Sequence, residues 1–185
     1  GYFSSEFKRH ATMYCLSSIL ELHDKSKFEI YLYSFTSKED EFTERLKKSG
    51  CFFRDIKNLS TFEAVELARK DKLDIAIDIK GYTNSDYRTN IFAYKVAPIQ
   101  INFAYPGSLG AETFDYIIAD NTLIPKGQEK FYTEKVLYLP SSPSNFEAYS
   151  YTTNKKENFK ETICRRDFNL PSKGFVFTCF NGNRR

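Results

Sequence analysis

The sequence contains no tryptophan, one methionine and two histidines, His10 and His23, and its four cysteines stand singly at positions 15, 51, 164 and 179. There is no C-x-x-C pair and no zinc-like spacing to either histidine, so no metal ligand set is expected. Cys51 and Cys179 lie in apolar stretches and read as small buried hydrophobes. Free thiols in a core fit a reducing compartment. No apolar run reaches the ~18 residues of a membrane span. The N-terminus shows no basic segment followed by an apolar one, so no secretory leader is expected. The eight glycines never form G-x-G-x-x-G, which disfavours a dinucleotide site of the NAD kind. With 27 basic and 24 acidic residues the net charge is only +3, too small to imply a nucleic-acid partner.

What remains is an ordinary globular composition. At 185 residues, 41% hydrophobic and 28% charged, the chain can bury a core, and disorder, collagen and coiled coil are excluded.

Periodicity divides the chain into alternating elements. Residues 1–4 read as the end of a short strand. Residues 12–22 read as a helix with Met13, Leu16 and Leu20 on one face. Residues 28–35 (FEIYLYSF) alternate as a strand, residues 39–49 form a charged helix, and 51–56 a short strand. Ser60-Thr61-Phe62-Glu63 is a capping box that opens a helix to about residue 71, with Phe62, Val65 and Ala68 expected toward the core. Residues 73–79 (LDIAIDI) are the clearest strand, with Ile75, Ile77 and Ile79 on one face. A short helix is expected over 88–95, ending before Pro98. Strands follow at 99–103, 114–119 and 135–139. Beyond Pro140 the chain is rich in Ser, Asn, Thr and Tyr without period, and reads as a linker. A short helix over 157–164 and a last strand at 175–180 (FVFTCF) complete the reading. Strands alternating with helices predict an α/β fold: a Rossmann-like, mostly parallel sheet with helices on both faces.

In such sheets ligands bind beyond the carboxyl ends of the strands. After the first strand comes Ser4-Ser5-Glu6-Phe7-Lys8-Arg9-His10. His10 stands just before a helix, where an imidazole can move a proton or bind a ligand, or simply start the helix. After the 73–79 strand come Gly81, Tyr82 and Thr83; after the 99–103 strand come Tyr105, Pro106 and Gly107. Gly81 and Gly107 permit close backbone approach, or are turn glycines. Asp74 and Asp78 share a strand face, where solvent or cap partners are expected rather than acid–base work. Arg184 and Arg185 could meet a phosphate, or be merely where the chain stops.

The segments GYFSSEFKRH, DIAIDIKGYTNSDYR, APIQINFAYPGSLGAETFDYIIAD and EKVLYLP, in that order, resemble the catalytic region of the O-GlcNAc transferase and SPINDLY-like family of protein glycosyltransferases. The resemblance runs from residue 1 to about 140 and resumes at RRDFNLPSKGFVFTCFNGNRR. It implies a GT-B arrangement, two Rossmann-like lobes facing across a cleft and working without a metal. Residues 1–140 would be the N-terminal lobe, 141–172 a linker and 173–185 the start of the second, nucleotide-binding lobe. The activity implied is inverting transfer of GlcNAc from UDP-GlcNAc to Ser or Thr of cytoplasmic proteins. It needs no cofactor beyond the nucleotide sugar, which is substrate. The implied partners are an acceptor protein or peptide, upstream tetratricopeptide repeats and the second lobe in the parent chain.

By the same resemblance His10 matches the active-site histidine of S-S-[DE]-F-x-x-H. Gly81, Tyr82 and Thr83 match a G-Y-T loop lining the cleft, and Tyr105, Pro106 and Gly107 a Y-P-G loop. Phe180 and Asn181 match the F-N that begins the second lobe. Arg185 stands where many relatives have a lysine on the donor diphosphate, Arg184 where an aromatic is frequent, and Tyr14 where some relatives have a second histidine. Alternatives are a relative using UDP-glucose toward Asn, or GDP-fucose, or a non-catalytic Rossmann-like interaction domain.

Overall fold

The computed structural model describes residues 1–83, 85–103, 107–110, 112–140 and 164–178. Seven short strands are all in one sheet: β1 Tyr2–Ser4, β2 Tyr31–Ser34, β3 Phe52–Asp55, β4 Ile75–Asp78, β5 Ile99–Asn102, β6 Tyr116–Ala119 and β7 Lys135–Tyr138. Three α-helices, α1 Ala11–Leu22, α2 Glu41–Lys47 and α3 Thr61–Lys70, connect the first four strands. A 3₁₀ helix, Thr89–Tyr94, lies between β4 and β5. The strand order is β3-β2-β1-β4-β5-β6-β7, and every pairing is parallel. This is the α/β, Rossmann-like architecture expected from the alternation.

The first three strands are added in one direction from β1, and β4 onward in the other. Right-handed crossovers must then place α1 and α2 on one face and α3 on the opposite one. The core divides that way. Tyr2, Leu32 and Ile79 pack with Met13, Leu16 and Leu20 of α1 and with Phe42 and Leu46 of α2. Their strand neighbours Phe3, Tyr33 and Ala76 point the other way, onto Ala64, Val65 and Ala68 of α3 and Ile91 and Phe92 of the 3₁₀ helix. Phe3 stacks on Tyr33 at a centroid distance of 4.3 Å and meets the edge of Phe92 at 5.0 Å. Such buried aromatic pairs add about 0.5–1.5 kcal/mol beyond area burial.

The capping box forms as expected: Glu63 N donates to Ser60 Oγ at 3.2 Å, and Ser60 N to Glu63 Oε2 at 2.7 Å. Phe62 departs from expectation, being 61% exposed. At about 100° per residue, the stripe through Ala64, Val65 and Ala68 leaves Phe62 roughly 110° away from its centre. Ile75 also departs, exposed at the start of β4 while Ile77 and Ile79 join the α1 side.

Cys51 is buried, Cys15 half-buried and Cys164 exposed; Cys179 lies outside the described residues. The helix expected over 157–164 and most of the linker lie outside them too. Within 164–178 a 3₁₀ turn covers Arg165–Phe168. Residues 175–178, expected to open a strand, have no regular structure, with Phe175 and Phe177 exposed. Among the described residues no strand pairs with them, and without a ladder partner an extended segment is not a strand.

Candidate functional site

The switch point of the sheet lies between β1 and β4, where the connections leave in opposite directions and open a crevice at the carboxyl ends. The loop after β1 runs from Ser5 to His10 and is held at several places. Phe7 is fully buried, and its carbonyl accepts from the Thr43 hydroxyl at 2.6 Å. Arg9 N donates to Asp40 Oδ2 at 2.6 Å. Asp40 is also the N-cap of α2, its Oδ1 accepting from Phe42 N at 2.9 Å and Thr43 N at 3.3 Å. Partial burial disfavours the Asp40 charge, but these amides outweigh it and hold the carboxyl below its ordinary pKa. One helix start thus fixes the approach to His10.

His10 is the N-cap of α1, with extended backbone. Its Nδ1 lies 3.3 Å from Thr12 N, 3.1 Å from Thr12 Oγ1 and 3.2 Å from Glu6 Oε2. Its side chain is 40% exposed, against 6% for Glu6. The Thr12 hydroxyl donates to Glu6 Oε2. On its other oxygen, Glu6 receives Lys80 Nζ at 2.8 Å, and Lys80 also pairs with Asp86 at 3.0 Å. Burial opposes the Lys80 charge, yet the bonds to Glu6 and Asp86 raise its pKa above that of an ordinary lysine. The pair ties the loop after β1 to the loop after β4.

That second loop turns at Gly81, whose φ of +56° lies in the left-handed region that glycine enters without strain. Asp78 makes the turn by accepting from Lys80 N at 2.8 Å and Gly81 N at 2.9 Å, and the Thr83 hydroxyl donates to the Lys80 carbonyl. Burial pushes the Asp78 carboxyl up to about 6, against the opposing pull of the two amides and Lys80. Asp78 therefore has backbone amides for partners and no solvent. Tyr82 reaches the third loop, its hydroxyl donating to the Leu109 carbonyl at 3.2 Å, and meets Tyr87 edge-on at 5.4 Å.

The loop after β5 is held from beneath. Asn102 Nδ2 donates to the Gly107 carbonyl at 2.9 Å. The buried Glu134 carboxylate accepts from Ser108 Oγ at 2.7 Å and Leu109 N at 2.8 Å. His10, Gly81, Tyr82, Thr83 and Gly107 thus all sit on loops at one edge of the sheet. Tyr105, Pro106, Phe180, Asn181, Arg184 and Arg185 lie outside the described residues. Glu6 and Lys80 were missed as site residues, while Asp78, for which solvent or cap partners are expected from the sequence, takes the Lys80 and Gly81 amides. A lysine beside a glycine turn carries no periodic signal of burial, and Glu6 stood only as part of a loop string. Among the described residues no group of three or more His, Cys, Asp or Glu could hold a metal ion, and no helix is long and apolar enough to cross a membrane.

The family model described as glycosyl transferase family 41 matches residues 1–146. The chain belongs to this family. A probable UDP-N-acetylglucosamine–peptide N-acetylglucosaminyltransferase SEC of Arabidopsis thaliana is 28% identical, the match covering 98% of this chain and 18% of the relative. A UDP-N-acetylglucosamine–peptide N-acetylglucosaminyltransferase of Caenorhabditis elegans is 34% identical over 76% of this chain and 12% of its own length. Among solved structures, a Thermobaculum terrenum O-GlcNAc transferase mutant superposes with a TM-score of 0.73 at 33% identity, covering 77% of this chain and 27% of that one. The chain spans less than a fifth of the length of these curated relatives. The described residues form one Rossmann-like sheet, with His10 at the end of the loop that follows β1 beside the switch point.

Proposed function

We propose that this chain is the N-terminal catalytic lobe of a GT-B glycosyltransferase that moves GlcNAc from UDP-GlcNAc to Ser or Thr of proteins, with inversion. The observation that carries the reading is His10 at the β1/β4 switch point of a family 41 sheet, held on a loop with three separate anchors. Relatives named as peptide N-acetylglucosaminyltransferases support the donor and the protein acceptor. In this reading the acceptor hydroxyl oxygen attacks the anomeric carbon and the bond to the diphosphate oxygen breaks. The hydroxyl proton passes to His10, and UDP leaves. The Gly81–Thr83 loop and the loop of Tyr105, Pro106 and Gly107 line the cleft. Arg185, together with amides of a second lobe, meets the leaving diphosphate. The nucleotide sugar is the only small molecule required. Tetratricopeptide repeats and the second lobe belong to the parent protein, which works in the cytoplasm.

The test is His10→Ala in the full-length protein, assayed with radiolabelled UDP-GlcNAc and a Ser/Thr-rich acceptor. A true general base contributes about 10²–10⁴-fold, so transfer should fall by at least the lower figure; unchanged turnover removes His10 from the mechanism. Calorimetry with UDP-GlcNAc, UDP-glucose and GDP-fucose on the same protein separates the donors. Binding of none of them favours an interaction domain instead.

A further inference from the structure

We infer that Glu6 is a positioning residue that sets the tautomer of His10, placing the proton on Nδ1 and the lone pair on Nε2. The inference deepens the proposed function and rests on its reading of His10 as the proton acceptor.

The argument is a count of protons around Nδ1. Three groups lie within 3.1–3.3 Å of it: Thr12 Oγ1, Glu6 Oε2 and Thr12 N. Glu6 Oε2 is a carboxylate oxygen and can only accept. Thr12 Oγ1 has one proton, and that proton is donated to Glu6 Oε2, so the hydroxyl turns a lone pair toward His10. Both oxygens beside Nδ1 are therefore acceptors toward it, and a bare Nδ1 would set its lone pair against one on each of them. A proton on Nδ1 satisfies both.

Only the Thr12 amide favours the opposite tautomer, because it needs Nδ1 as the acceptor of an N-cap bond. It is the weaker claim. It lies at 3.3 Å, is a first-turn amide of the kind water readily serves, and is a neutral donor. The Thr12 hydroxyl is nearer, at 3.1 Å, and is polarised by donating its own proton to the Glu6 carboxylate. That carboxylate lies 3.2 Å from Nδ1 as an ion-pair contact and is nearly solvent-free, where a low local dielectric strengthens its pull on the Nδ1 proton.

Lys80 completes the device. Its ammonium, 2% exposed in the side chain, pairs with Glu6 Oε1 at 2.8 Å, and Asp86 at 3.0 Å balances its charge from the other side. The Lys80 bond on Oε1 fixes the carboxyl group of Glu6 from one side, with Oε2 toward Thr12 and His10. With the proton on Nδ1, the ring presents an unprotonated Nε2, the state a base needs before it takes a hydroxyl proton.

The test is selective ¹⁵N-histidine NMR on the full-length protein, at a pH where the ring is neutral, with the His10 signals assigned by their loss in His10→Ala. The wild type should show a protonated Nδ1 and a bare Nε2. Glu6→Gln places an amide N–H donor within reach of Nδ1 and should invert the pattern, whereas Glu6→Asp should retain it. In transfer assays Glu6→Gln should lower kcat by about 10²–10⁴-fold with KM little changed, and Glu6→Asp should recover most of that loss. A wild-type His10 protonated on Nε2, or a Glu6→Gln protein with the wild-type tautomer, overturns the inference. If Glu6→Gln does not fold, the wild-type spectrum alone decides. The spectrum reads the tautomer whether or not the protein transfers GlcNAc, so the two proposals fail separately.

Discussion

Lys80 Nζ stands 2.8 Å from Glu6 Oε1, and the two buried side chains join loops that are 74 residues apart in the sequence. A buried pair of this kind is costly to break from one side, because the surviving charge has no water to return to. Lys80→Met should therefore destabilise the fold by about 3–5 kcal/mol, read as a lowered midpoint in urea. The double variant Lys80→Met with Glu6→Gln should lose clearly less than the sum of the two singles. Additive losses would show that the pair is not coupled.

Asp78 makes stability depend on pH in the direction opposite to most carboxylates. Its folded pKa of about 6 lies above the ordinary 3.8, so the folded state holds the proton more tightly than the unfolded one. The contribution is fully present below the ordinary pKa of 3.8, is lost as the pH rises through about 6, and is flat from about pH 7. Two units correspond to about 3 kcal/mol. Glu6 and Lys80 are the charges that act on Asp78, and both remain in Asp78→Asn. The difference in unfolding free energy between wild type and Asp78→Asn should shift by roughly that amount between pH 3 and pH 7. A constant difference would refute the assignment.

Gly81 has to accept a positive φ. Gly81→Ala should cost about 1–2 kcal/mol, and Gly81→Asn less, since asparagine enters the left-handed region more readily. Thermal unfolding should rank the three Gly, Asn, Ala. Equal losses for Asn and Ala would mean that something other than the dihedral decides.

Gln100, fully buried on β5, is a polar staple. Its Nε2 donates to the carbonyls of Phe92 at 3.0 Å and Thr113 at 2.6 Å, and its Oε1 accepts from Val96 N at 3.0 Å. Gln100→Ala leaves Val96 N and the Thr113 carbonyl without this partner, while the Phe92 carbonyl keeps the Lys95 amide, and should cost about 1–3 kcal/mol in denaturant. Gln100→Glu, nearly the same shape, should be no better, because it turns an acceptor toward two carbonyls. A neutral Gln100→Glu would contradict this account.

How the elements were legible explains why the site was only partly so. The strands at 31–34, 52–55 and 75–78 and the helices between them follow from local alternation, and Ser60 with Glu63 marks a helix start within four residues. His10, Gly81 and Gly107 could be placed at strand ends for the same reason. Phe62 was misplaced because an apolar residue in the first turn fits a helical stripe on paper, while the stripe actually used is chosen by what α3 packs against. The strand expected at 175–180 failed in its described part because an extended sequence needs a neighbour, and its ladder partner is not local.

The amino-acid sequence alone determined an α/β chain, the edge of the sheet where a site should lie, and the family resemblance of its loops. Only the tertiary structure decided that β4 lies beside β1, that Lys80 therefore meets Glu6, and that Glu6 faces Nδ1 of His10. Periodicity reports how a segment divides between core and solvent. It says nothing about which distant segment supplies the counter-charge, because burial of an ion pair is a property of two loops brought together by strand order.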